Sequence, residues 1–191
     1  IMPSKTLTID DHVQSITAAE GPDGALKGSY HYNELRNILD RIHKNGKLPD
    51  LRTYHFRHTR NIWQLPNRLK NHELAREATR ELLDTLRNRH GWDLEGIVRN
   101  IANRHFCEEK IKYGATLGGM ISTIYDGSPS RAVLDCLQNH PEQEVRERFA
   151  NLRPYHFGIV PSRTWVDNDK PNYELAREAT RELLEVLKRE Y

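Results

Sequence analysis

The chain has 191 residues, enough for one domain or two small ones with a real core. Hydrophobic residues make up 37% and charged residues 29%, and no apolar run approaches a membrane span, which excludes a membrane-crossing helix. A formal net charge of +2 excludes a global field for nucleic acid or anionic lipid, so such a ligand would have to meet a local patch.

Residues 1–28 mix Pro, Gly, Ser and acidic side chains without periodicity and predict a partly mobile arm. Ile1 ahead of Met2 reads as a remnant of cloning or processing. From Tyr30 to His43, Leu35, Ile38, Leu39 and Ile42 recur at helical spacing, with Asn45-Gly46 as the stop. The segment LRTYHFRHTRNIWQLPNRLKNH, residues 51–72, carries Arg52, Arg57, Arg60, Arg68 and Lys70 with no acidic residue. Tyr54, Phe56 and Trp63 are interleaved among them, a composition that suits phosphate neutralisation and stacking. The alternative has the aromatics plugging a core and the arginines solvating its rim.

The stretch ELAREATRELL at residues 73–83 is an amphipathic helix. Leu74, Ala75, Ala78, Leu82, Leu83 and Leu86 form the apolar side, and Asn71 stands where an N-cap is wanted. Glu73–Arg76, Glu77–Arg80 and Arg80–Asp84 are spaced for pairing along a solvated face. After Gly91, Asp93 caps a predicted helix with Leu94, Ile97, Val98 and Ile101, and a short helical piece runs through Phe106 and Ile111. Residues 115–139 read as helix, tight turn, helix. Met120, Ile121, Ile124 and Tyr125 face inward first, Asp126-Gly127 turns the chain, and Ser128-Pro129 starts a second helix burying Ala132, Val133, Cys136 and Leu137. A further helix is predicted from Pro141 to about Phe149. No alternating pattern is long enough for a sheet, so the fold class is all-α.

ELAREATRELL returns at residues 174–184, a displacement of 101 residues. The same displacement lays Leu51-Arg52 on Leu152-Arg153 and Tyr54-His55-Phe56 on Tyr155-His156-Phe157, while Trp63 and Trp165 miss by one position. The expectation is a tandem duplication: two related helical modules with long aromatic loops and helix–turn–helix-like elements, 29–90 and 91–191, behind the arm 1–28. The second loop has Arg153, Arg163 and Lys170 but also Asp167 and Asp169, so only the first is purely cationic.

In a helix–turn–helix the second helix enters the major groove, and here Ser130, Arg131, Asp135 and Gln138 would point outward. Arg131 and Gln138 are able to make bidentate contacts with bases. A tight helical hairpin packed into its own protein explains the same pattern. Catalytic signals are thin. Ten histidines include no metalloprotease or zinc-finger spacing, and neither a phosphate-binding glycine loop nor a distinctive carboxylate pair occurs. No cofactor or metal is expected. Cys107 and Cys136 in separate helices suit reduced thiols, and with no signal peptide evident a cytoplasmic location is expected.

The string YGATLGGMISTIYDGSPSRAV followed by LRPYHFGIVPSRTW resembles a repeat-containing domain of unknown function from Gram-positive bacteria and their phages. Gly118, Gly119, Met120, Ile121, Tyr125, Ser128, Pro129, Ala132, Val133, Val160, Pro161 and Trp165 carry the resemblance, best over residues 93–165. A looser similarity is to helical DNA-binding repeats attached to homing endonucleases. The resemblance implies a repeat architecture. The expected function is non-enzymatic binding of nucleic acid, double-stranded DNA first. Arg52, Arg57, Arg60, Arg68 and Lys70 would be on phosphates, with Ser130, Arg131 and Gln138 at bases. The alternative is a protein-interaction or assembly module, with a homo-oligomer among its expected forms.

Overall fold

The structure is a computed structural model that describes residues 39–190 apart from 45, 47, 56–61, 65–68, 161, 168 and 169. The predicted arm at 1–28, most of the predicted 30–43 helix, and Arg57, Arg60 and Arg68 lie outside the described residues. Within them the protein is mostly helical. The helices are α1 (residues 39–44), α2 (His72–His90), α3 (Leu94–Asn100), α4 (Asn103–Glu108), α5 (Gly118–Tyr125), α6 (Pro129–Gln138), α7 (Gln143–Arg148) and α8 (Tyr173–Glu190). Short 3-10 turns lie at Thr53–His55, Lys112–Gly114, Pro154–His156 and Ser162–Trp165. The β-structure consists of a two-residue antiparallel ribbon, β1 (Val166–Asp167) with β2 (Lys170–Pro171), and a bridge between Gln64 and Lys70.

Local chemistry sets the helix ends where the sequence places them. The Asn71 side chain accepts the Leu74 N–H at 3.2 Å, and α2 stops at Gly91, whose φ of +68° is the left-handed conformation glycine adopts without strain. Asp93 caps α3 by accepting the Gly96 N–H at 2.7 Å. Ser128 caps α6 with Pro129 in its first turn, where a missing N–H costs nothing. Asp126 and Gly127, both at positive φ, reverse the chain between α5 and α6. Asn172 caps α8 as Asn71 caps α2, accepting the Leu175 N–H at 3.0 Å.

Helix α2 is the axis of the packing. Its apolar side rests on α6 above all, with α3 and α5 beside it, and α4 backs α5. The side chains predicted to face inward from α5 and α6 are buried, and one continuous hydrophobic cluster runs from Leu39 to Phe157, across both sides of residue 90. Gly118 allows α4 to approach closely, since a Cβ there would sit 3.2 Å from the Cys107 sulfur. That close approach is between helices. Gly158 seats the second aromatic segment on the end of α3. A Cβ at 158 would fall 2.0 Å from the Arg99 carbonyl oxygen, so no larger residue fits without moving backbone.

The charged face of α2 departs from expectation. Asp84 and Arg87 pair along the helix at 3.7 Å, but Arg76 reaches Asp135 on α6 at 3.0 Å, and Glu77 and Glu81 reach back to residues 52–55. These charges fasten neighbouring elements together, so that face is only partly solvated.

Candidate docking face on the second repeat helix

A shared set of contacts holds each aromatic segment against its repeat helix, and the first segment adds a bond from Tyr54. In the first, the Arg52 N–H donates to His55 Nδ1 at 2.9 Å, which leaves Nε2 to carry the proton. Nε2 donates to the Glu81 carboxylate at 3.0 Å, and the Tyr54 hydroxyl donates to the same group at 3.0 Å. The Arg52 guanidinium meets Glu77 at 2.7 Å, and Tyr54 stacks on Trp63 with ring centroids 6.2 Å apart. In the second, Arg153 N–H meets His156 Nδ1 at 3.0 Å, His156 Nε2 meets Glu182 at 2.7 Å, and Arg153 meets Glu178 at 3.1 Å. Tyr155 stacks on Trp165 at 6.1 Å.

The two tryptophans that miss each other by one position in sequence therefore occupy equivalent places. The Trp63 carbonyl accepts the Asn71 N–H at 2.9 Å and the Trp165 carbonyl accepts the Asn172 N–H at 2.8 Å, so a one-residue difference in loop length is absorbed between them.

The clamps differ in depth. Glu81 also accepts the Lys112 backbone N–H at 2.8 Å. Burial acts to raise the Glu81 pKa, but the donors on His55, Tyr54 and Lys112 outweigh it and hold the carboxyl below its ordinary value. Glu182 is held low mainly by His156. Tyr155 lies close enough to help lower it, but its hydroxyl does not reach the well-formed bond that Tyr54 makes.

The larger difference is on the opposite side of the two helices. Leu82, Leu83 and Leu86 of α2 are 0%, 3% and 0% exposed, whereas the matched Leu183, Leu184 and Leu187 of α8 are 58%, 51% and 42% exposed. Val186 and Tyr173 add to the open stripe. Among the described residues, α8 packs against the Ser162–Trp165 turn and is fastened through Glu178 and Glu182 to Arg153 and His156, and no helix is in extensive contact with it. Sequence reasoning treated the two copies alike and missed this face. The signal for it was the identity itself, because an apolar stripe that needs three covering helices in one place needs covering in the other.

The residues expected to bind nucleic acid fall elsewhere. Arg52 is engaged with Glu77. Lys70 donates to the Ile124 carbonyl at 2.9 Å and lies 3.3 Å from Asp126, and Arg131 lies 3.4 Å from the same carboxylate. The structure thus brings Lys70 and Arg131 together, from two segments, around one acidic side chain. The outward orientation expected for Ser130 is corrected: it is 2% exposed and its hydroxyl is 3.2 Å from Ser128, because the first turn of α6 tucks under the capped turn. Gln138 is half-buried, with its amide donating to the Leu152 carbonyl at 3.0 Å. Asp135, also expected outside, accepts from Tyr125 at 2.8 Å as well as from Arg76. Burial and this carboxylate together push the Tyr125 pKa far up.

A cleft of about 490 Å³ lies beside the α5–α6 turn, lined by Ile101, Pro129, Ile159, Asp126 and Arg131 among others. Among the described residues its charged lining groups are Asp126 and Arg131, which pair with each other at 3.4 Å. Among the described residues no cluster of three or more His, Cys, Asp or Glu side chains is arranged to hold a metal, and no helix is long and apolar enough to cross a membrane. Comparison of the chain with known protein families, with curated proteins and with solved structures returns no match to any of the three.

Proposed function

We propose that this chain is a protein-interaction module made of two related helical units in tandem, and that it binds a protein partner through the open face of α8. The observation that carries the reading is the contrast between two identical stretches. ELAREATRELL is sealed into the core as part of α2 and left open as part of α8. Contiguous exposed leucines rimmed by charge are the mark of a surface kept for association. The nucleic-acid reading receives less support, because Arg52 and Lys70 are partnered by carboxylates of the same chain.

Thiol labelling tests this. In a Cys107→Ser background the exposed native thiol is gone. Cys136 stays unreactive, since burial pushes its pKa up to about 12. A Leu183→Cys variant is expected to react with a maleimide within about tenfold of the rate in denaturant, as an open helix position should. Added duplex DNA should leave that rate unchanged. Strong protection at position 183 in the chain alone would mean the face is already covered and would overturn the reading.

A further inference from the structure

The protein contains a worked answer to what covers this face. In α2 the same eleven residues are covered by the α5–α6 hairpin, residues 118–138, with α3 alongside. Thr79 turns its hydroxyl onto the Ala75 carbonyl at 2.7 Å and rests against the Met120 sulfur at 3.9 Å. The Cys136 thiol lies 3.7 Å from the Arg76 carbonyl, and Asp135 takes the Arg76 guanidinium at 3.0 Å. On α8 the corresponding groups are already set. Thr180 donates to the Ala176 carbonyl at 2.8 Å, the same turn inward that Thr79 makes. Arg177, the counterpart of Arg76, has no cross-helix carboxylate matching Asp135 among the described residues.

From this we infer that α8 is the seat for a helix–turn–helix hairpin of the same chemistry as residues 118–138, supplied from outside the described residues. The hairpin carries a carboxylate that meets Arg177 and small or sulfur-bearing side chains that lie over Ala176 and Thr180. The inference rests on the proposed function and specifies its partner.

A second copy of this chain does not supply the hairpin, because Met120, Ile121, Val133, Cys136 and Leu137 of each copy are already buried. Two substitutions tune the seat. Tyr173 replaces His72, whose Nδ1 lies 3.4 Å from Asp135, and Val186 replaces Thr85, so α8 accepts a more apolar neighbour than α2 does.

Sequence register makes a direct test. Tyr191 aligns with His90, so a duplicate of residues 91–140 joined after Tyr191 places a hairpin relative to α8 as the native one stands to α2. In the Cys107→Ser, Leu183→Cys chain this extension is expected to slow maleimide labelling by at least about tenfold. Changing the appended counterpart of Asp135 to Arg should restore fast labelling, and adding Arg177→Asp to that chain should slow it again. Labelling that stays fast in the extended chain, or that ignores both charge changes, overturns the hairpin assignment and leaves the open face standing. Slow labelling in the chain without the extension overturns the proposed function itself, so the two failures are distinguishable.

Discussion

Leu82→Ala is expected to lower the unfolding free energy by about 2–5 kcal/mol, while Leu183→Ala at the matched position changes it by less than about 0.5 kcal/mol. Both leucines sit in the same eleven-residue sequence, so helix propensity and local contacts are equal and cancel in the comparison. What remains is burial. Removing the Leu82 side chain leaves a cavity against α5 and α6, and removing Leu183 uncovers nothing that was dry. Urea unfolding of the two variants measures the difference. Equal losses would mean that both helices are enclosed alike.

The second large effect is at the deeper clamp. Glu81 accepts from the Tyr54 hydroxyl, from His55 Nε2 and from the Lys112 N–H, and its side chain is only 13% exposed. Glu81→Ala strands these donors, two of them on buried residues, at an expected cost of about 3 kcal/mol. Glu182→Ala should cost far less, since the His156 and Glu182 side chains are 32% and 47% exposed.

The pH dependence follows from the sign of the shift. The folded Glu81 pKa lies below its ordinary value of 4.5, so its contribution is fully present above that value. The contribution is lost as pH falls through the folded pKa. Unfolding measured from pH 7 downward should show wild-type stability falling in that acid range, with a shallower fall in Glu81→Ala. An unchanged acid limb would remove Glu81 as its source.

How much of this was legible in the sequence differs by feature. The helix boundaries were, because Asn71, Asp93, Ser128-Pro129 and Gly91 act through bonds within a few residues of themselves. So were the inward faces of α5 and α6, which follow from periodicity alone. The roles of the charged residues were not. Arg52, Arg76 and Lys70 find their partners 25, 59 and 56 residues away, and no spacing rule along one helix reveals such pairs. Ser130 and Gln138 fall on the polar side of a helical wheel, yet Ser130 is enclosed by its own capped turn and Gln138 is engaged by the chain following α7. The open face of α8 was hidden for the opposite reason: a repeat in sequence invites the assumption of a repeat in environment, and burial depends on neighbours that the repeat does not include.

The central claim, that two identical stretches stand in opposite environments, is tested most directly by residue-resolved amide hydrogen exchange on the unmodified protein. The account predicts that amides of residues 75–86 exchange only through global unfolding, and that those of residues 176–187 exchange through local opening at far lower free energy. Matching protection in the two stretches would contradict it.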